Sequence, residues 1–154
     1  MILHPYVVHL AIAVLTIGVF YDFLFLIKPK ENFRKYANYL LTAGTIAAVV
    51  AVYTGNEAYD ILEIPIEFKK MVWQHRDSGE WAMWLFVGML AMRLLFMRMN
   101  WFNRPLKWIY YAISLIALLF LLRTGILGGQ MAYIHGIGSS EAVEEKLQRP
   151  SFEE

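Results

Sequence analysis

The four histidines are the residues of this chain best suited to bind a metal ion or a haem iron. They are His4, His9, His75 and His135, in a chain of 154 residues that contains no cysteine. Imidazole nitrogens ligate both transition metals and haem iron. The lack of cysteine excludes disulfides, thiolate metal sites, iron–sulfur clusters and covalently attached haem. The histidines therefore predict a non-covalent cofactor.

The spacing of the histidines limits how they can be paired. His4 and His9 are five residues apart, so on a helix their side chains point ~140° away from each other. They cannot ligate one haem from opposite faces, but each can meet a different partner across a helical bundle. The candidate partners are His75 and His135. We therefore expect one or two b-type haems with paired histidine ligands, and two haems would use all four residues.

The elements that must position these histidines are transmembrane helices. Hydrophobic residues make up 58% of the chain and charged residues only 18%, which is too apolar for a soluble domain of this size. Four apolar runs are each near the ~20 residues that cross a bilayer as a helix. They are Tyr6–Ile27, Tyr36–Thr54, Trp81–Met97 and Trp108–Leu127. The sequence thus predicts an all-α membrane protein, a four-transmembrane-helix up-down bundle over residues 1–138, followed by an acidic, mobile tail over 139–154.

The distribution of basic residues predicts the orientation of the bundle. Lysine and arginine concentrate in the two short linkers, at Lys28, Lys30, Arg34, Lys35, Arg98, Arg104 and Lys107. By the positive-inside rule these linkers face the cytoplasm, and both termini and the longer linker, Gly55–Glu80, lie outside. All four histidines then lie on the outer side of a bacterial inner membrane. The net charge of +1 excludes the strong basic bias of a nucleic-acid binder.

Other residues of the spans fit a cofactor at the outer side. Gly125, Gly128 and Gly129 let a flat ring or another backbone approach the end of span four. Arg123 lies about one turn inside the outer edge, where a haem propionate is one partner for its charge. Plain helix packing for the glycines and snorkelling to lipid headgroups for the arginine stay open. Asp22 and Arg93 lie toward the cytoplasmic end, where they can pair with each other, and no catalytic role is assigned to them.

A weak internal sequence repeat suggests that the chain arose by duplication of a helical hairpin. Thr54-Gly55 at the end of span two is repeated as Thr124-Gly125 in span four, and His9 matches His75. His9 and His75 each follow a pair of aliphatic or aromatic residues. Few residues match, so the repeat is only weak support for two related halves.

The same residues carry a resemblance to a known family. The opening Leu3-His4-Pro5, with Val8-His9, resembles the start of a widespread bacterial family of four-helix membrane proteins of unknown function. Members also carry a Thr-Gly near the end of helix two, a histidine before helix three and a Gly-Gly…Tyr-x-His-Gly stretch, matched here by Thr54-Gly55, His75 and residues 128–136. The resemblance covers residues 3 to about 138. Leu10-Ala11 stands where the family often has Phe-Pro, which leaves the histidines intact. Some relatives are fused to Rieske-type iron–sulfur domains, and this implies a setting in membrane electron transfer.

Three functions remain open from the sequence. The first is a small b-type cytochrome that passes electrons to a partner complex or to quinone. The second is a site for a bare copper or zinc ion, which requires three histidines at ~2.0–2.1 Å from one centre. The third is a structural or assembly subunit of a larger membrane complex without a cofactor. No catalytic motif of a hydrolase, nucleotide-binding enzyme or metalloprotease is present, so enzymatic turnover is not indicated.

Overall fold

The described part of the chain folds into four long helices. The computed structural model describes residues 3–61, 64–99 and 105–137. Helix α1 covers His4–Ile27, α2 covers Glu31–Ile61, α3 covers Lys69–Met99 and α4 covers Lys107–Gly129. A short 3-10 turn, Ile66–Phe68, precedes α3, and a π-helical turn, Gln130–Ile134, continues α4. The predicted tail lies outside the described residues.

All four helices are long and apolar enough to cross a membrane. Large apolar side chains also cover the outside of the bundle, for example Phe20, Leu119 and Ile126, which are 59%, 58% and 63% exposed. A soluble bundle keeps such a surface polar, whereas a lipid-facing surface has no need to. The prediction of a four-helix membrane bundle is confirmed.

Two helices are longer than predicted. Much of the segment expected to be a linker, Gly55–Glu80, extends α2 to Ile61 and begins α3 at Lys69. The apolar run marks only the part of a helix that lies in hydrocarbon, while the hydrogen-bonded backbone continues into polar sequence, here through Gly55 in α2 and Gly79 in α3. Pro65 stands just before the 3-10 turn that precedes α3.

The helices run alternately up and down. Helix α1 packs against α2 and α4, and α3 also packs against α2 and α4, so α1 and α3 occupy opposite corners of the bundle. We call the end that holds His4 and His75 the histidine end. We call the other end, where α1 connects to α2 and α3 to α4, the linker end. Both described termini lie at the histidine end.

The centre of the bundle is apolar and tightly packed. Leu15 of α1, Leu41 of α2 and Phe86 and Met89 of α3 are fully buried, and Ala117 of α4 closes the same layer. Small residues set the helix spacing within the first hairpin, since a β-carbon on Gly44 would lie 2.7 Å from the Leu15 side chain. This layer separates the histidine end from the linker end.

The two hairpins, α1–α2 and α3–α4, repeat the same pattern of buried positions. Residues of α1 and α3 correspond at a constant offset of 71, which pairs the buried residues Ala11 with Ala82 and Leu15 with Phe86. Residues of α2 and α4 correspond at an offset of 73, which relates the buried Ala48 to Leu121. The structure thus supports two related halves but changes their register, because His75 corresponds to His4 and not to His9.

Candidate functional site

The structure brings two of the four histidines together at the centre of the histidine end. His4 is the first residue of α1 and His75 lies in the second turn of α3, so they come from opposite corners of the bundle. Their ring centroids are 6.2 Å apart and their ring planes are nearly perpendicular, at 86°. Both residues are partly buried. The two imidazoles therefore face each other across the bundle axis.

Each of these imidazoles donates a hydrogen bond to a backbone carbonyl of the neighbouring helix. Nδ1 of His4 lies 2.9 Å from the carbonyl oxygen of Ala51 on α2, and Nδ1 of His75 lies 3.0 Å from that of Thr124 on α4. A carbonyl oxygen can only accept, so Nδ1 must carry the hydrogen in both rings. The other ring nitrogen, Nε2, then holds the lone pair. This is the arrangement that metal-ligating histidines commonly have.

A glycine lies beside each ring. A β-carbon on Gly55 of α2 would lie 2.8 Å from Cε1 of His4, and one on Gly128 of α4 would lie 2.9 Å from Cε1 of His75. Both distances are shorter than ordinary carbon–carbon contacts, so any larger residue would displace the ring. Each glycine follows the accepting carbonyl by four residues, one helical turn. The two hairpins thus hold their histidines in the same way.

The other two histidines lie apart from this pair. His9 is exposed, and its Nδ1 lies 2.6 Å from the carbonyl oxygen of Pro5 on its own helix. His135 follows the π-helical turn, is exposed, and contacts the ring of Phe68 at a centroid distance of 4.6 Å. Among the described residues, no hydrogen bond or ring contact joins His9 or His135 to the central pair. The prediction that all four histidines are ligands stays a prediction, and the structure assembles only His4 and His75.

The remaining predicted residues have different surroundings. Gly125 faces α1, where its β-carbon would lie 3.1 Å from Cδ1 of Ile12, and it therefore permits close helix packing. A β-carbon on Gly129 would have no neighbour within 4 Å. Arg123 is exposed on α4, one residue before the Thr124 carbonyl that accepts from His75. Of the three predicted glycines, only Gly128 lies against a histidine.

A bare ion site needs more ligands than this centre brings together. Over residues 3–61, 64–99 and 105–137, no group of three or more histidine, aspartate or glutamate side chains is arranged to hold a metal ion. The central pair offers two imidazoles, one from α1 and one from α3. Two histidines from facing helices suit a planar cofactor that supplies the other ligands itself, as a porphyrin does.

A second polar cluster lies at the linker end. Asp22 of α1 and Arg93 of α3, both fully buried, form an ion pair, as their expected proximity suggested. Tyr110 of α4 donates to Asp22 Oδ2 at 2.5 Å, and Arg93 Nε donates to Asn38 Oδ1 of α2 at 2.6 Å.

Sequence reasoning missed Tyr110 and Asn38, which look like ordinary interfacial residues of a span. It also missed Gly55 as a neighbour of His4, although the Thr54-Gly55 motif was the signal.

Comparison with known proteins identifies the family but brings no function. The family described as "Predicted membrane protein (DUF2231)" matches residues 1–141. No curated protein and no solved structure gives a significant match. The match covers the whole bundle, including both histidines of the central pair and the glycines beside them. The chain therefore belongs to the DUF2231 family of membrane proteins.

Proposed function

We propose that this protein is a small membrane cytochrome that binds one b-type haem between His4 and His75. The observation that carries the proposal is the opposed pair of imidazoles, each with Nδ1 bonded to a carbonyl. An imidazole nitrogen ligates a transition metal at ~2.0–2.1 Å, and the ring centroid lies a little over 1 Å beyond that nitrogen. Two rings on opposite sides of one iron are thus separated by slightly more than 6 Å. The centroids of His4 and His75 are 6.2 Å apart.

The surroundings of the pair also suit a buried macrocycle. The α2 and α4 residues that contact the two imidazoles are small, with Ala51 and Gly55 on one helix and Thr124 and Gly128 on the other. The imidazoles themselves fill the space beside the two glycines. Because the histidines come from α1 and α3, a ring plane between them would extend toward α2 and α4, and helix bundles commonly hold cofactors between facing helices.

Bound haem would supply a one-electron redox centre. If His4 and His75 both bound the iron, no ligand position would remain for oxygen, which favours electron transfer over oxygen chemistry. The chain's contribution is to fix the height, tautomer and orientation of the two imidazoles. We further propose that the histidine end faces outward from a bacterial inner membrane, and that electrons pass there to a partner redox complex or to quinone. The basic linkers at the opposite end support this orientation.

The test is a haem assay on the full chain. The protein is purified in mild detergent from membranes supplied with a haem precursor, and a reduced-minus-oxidised spectrum and a pyridine haemochrome assay are recorded. We expect a low-spin b-type spectrum and one haem per chain. His4→Ala and His75→Ala should each lose stable haem, whereas His9→Ala and His135→Ala, the matched controls, should keep it.

Three results would contradict the proposal. Absence of haem from native membranes would favour a cofactor-free subunit, in which the two imidazole–carbonyl bonds only join the helices of each hairpin. Stoichiometric copper or zinc without haem would favour the ion site. Loss of haem in His9→Ala or His135→Ala, with retention in His4→Ala, would assign the ligands to the other histidines.

A further inference from the structure

The histidine pair and the Asp22–Arg93 ion pair connect the same two helices. His4 and Asp22 lie on α1, 18 residues apart, and His75 and Arg93 lie on α3 with the same separation. At 1.5 Å per residue this places the two pairs ~27 Å apart along the bundle. Because α1 and α3 stand at opposite corners, these polar pairs reach across the bundle axis at its two ends.

The ion pair is fixed by hydrogen bonds from every helix. Arg93 Nη1 contacts Asp22 Oδ1 and donates to the Tyr110 hydroxyl at 2.9 Å. Tyr110 in turn donates to the other carboxylate oxygen, and Arg93 Nε donates to Asn38. The hydroxyl of Tyr111 reaches the backbone oxygen of Asp22 at 3.4 Å. The relative height of Asp22 and Arg93 is therefore determined by directional contacts.

The apolar layer between the two ends has no comparable directionality. Leu15, Phe86 and Met89 are fully buried, and apolar contacts of this kind have no donor–acceptor geometry that fixes the height of one helix against another. A slide at the ion pair would leave a charge unpaired in a medium of low dielectric constant, which is strongly unfavourable. Specifying register is the best-attested role of such buried polar pairs. The pair thus opposes sliding where the apolar layer does not.

We propose that Asp22 and Arg93 are positioning residues that set the register of α1 against α3 and so hold His4 and His75 at the same height. A slide of one residue is ~1.5 Å, and such a slide would move the two Nε2 atoms out of line with a single iron. The register of α1 against α3 does not depend on haem. Only its consequence for haem rests on the proposed function.

The test measures helix register at the histidine end, far from the substituted residues. The chain has no cysteine, so spin labels can be attached at Tyr6→Cys on α1 and Trp73→Cys on α3, both exposed positions. Pulsed electron–electron double resonance then gives the distribution of distances between the two labels in detergent without haem. In Asp22→Asn we expect the distribution to broaden, because the two helices then sample several registers. The label distance runs mainly across the bundle, so a slide of ~1.5 Å along the axis shifts its mean by less than the slide itself. Glu80→Gln, which removes the exposed Arg76–Glu80 pair of α3, is the control and should leave the distribution unchanged.

A double variant keeps the test decisive if Asp22→Asn does not fold. Asp22→Leu with Arg93→Met removes both charges, and buried ion pairs replaced in this way commonly leave stability intact. We expect normal helical content with a broadened label distribution. An unchanged distribution in a folded double variant overturns the proposal.

The haem-bound form provides a second measurement. If haem binds, the same variants should show a heterogeneous low-spin ferric resonance, because the two imidazoles are no longer held at one height. If the wild-type protein binds no haem, the proposed function fails, while the label distances still decide the register proposal. A homogeneous resonance equal to that of the wild type, together with unchanged distances, contradicts the positioning role.

Discussion

The imidazole of His75 lies directly on Gly128: a β-carbon built there would stand 2.9 Å from Cε1 of the ring. The same relationship holds between His4 and Gly55 in the first hairpin. A flat ring against a glycine cannot tilt toward that helix, and its Nδ1 bond to the carbonyl one turn earlier prevents it from turning over. Each hairpin therefore carries one oriented imidazole.

If haem binds between His4 and His75 as proposed, replacement of either glycine by alanine should weaken its binding. In Gly55→Ala or Gly128→Ala the new methyl group pushes the ring away from its carbonyl partner. Disturbing the support of a metal-ligating histidine typically costs ~10–100-fold in affinity, and we expect a loss in that range by haem titration of the apoprotein.

Gly88→Ala is the matched control for this prediction. It lies on α3 with no atom within 4 Å of the added carbon, and it should bind haem as the wild type does. Equal haem affinity in Gly128→Ala and Gly88→Ala would show that contact with the glycine does not orient His75.

If His4 and His75 hold haem as proposed, the angle between the imidazole planes predicts the magnetic signature of its oxidised form. The planes of His4 and His75 are 86° apart. Perpendicular imidazoles interact equally with the two iron d orbitals that lie out of the porphyrin plane, so these orbitals stay close in energy and a large orbital moment remains along the haem normal. We expect a strongly anisotropic low-spin ferric signal in electron paramagnetic resonance. A well-resolved rhombic spectrum would indicate nearly parallel rings.

The Thr54 hydroxyl should contribute little to the site. Its Oγ1 lies 3.3 Å from Nδ1 of His4, while the Ala51 carbonyl lies at 2.9 Å and is the better acceptor. The hydroxyl already donates to backbone oxygens of its own helix. In Thr54→Val we expect the haem affinity to stay within about threefold, since such a weak bond contributes at the low end of ~0.5–1.5 kcal/mol. Loss of haem in this variant would mean that the Thr54 hydroxyl, and not the Ala51 carbonyl, is the acceptor that keeps the hydrogen on Nδ1 of His4.

Two adjacent tyrosines should differ in their effect on stability. Tyr110 donates to the Asp22 carboxylate at 2.5 Å, whereas the Tyr111 hydroxyl is 3.4 Å from a backbone oxygen. Both side chains are buried. Hydrogen bonds to charged groups contribute ~1.5–3 kcal/mol, so Tyr110→Phe should lower the free energy of unfolding by an amount in that range. Tyr111→Phe should lower it by less than ~1 kcal/mol.

Denaturant unfolding in detergent, followed by circular dichroism, provides the comparison. Tyr110→Phe removes two hydrogen bonds to charged groups, one donated to Asp22 and one accepted from Arg93, whereas Tyr111→Phe removes one long bond to a neutral carbonyl. Equal destabilisation would mean that the hydrogen bonding of Tyr110 to charged groups raises the free energy of unfolding no more than the bond of Tyr111 to a neutral carbonyl.

Much of the architecture was determined by the sequence alone. Apolar runs of membrane-spanning length predict four helices, and the even number of spans places the start of the first helix and the end of the last on the same side of the membrane. The charges of Asp22 and Arg93 within apolar segments already require a partner, because an unpaired charge in hydrocarbon is unfavourable. These features depend on composition and periodicity, which are local properties of the chain.

Only the tertiary structure decided which histidines meet. His4 and His9 are equally plausible partners for His75 in the sequence, and the choice depends on helix rotation, which side-chain packing between helices determines. The groups that orient the rings are backbone carbonyls of Ala51 and Thr124, and every residue has such a carbonyl, so no residue type marks them. The sequence also misaligns the two halves, pairing His9 with His75. Equivalent residues are those at the same position around the bundle axis, and few of them are identical in type.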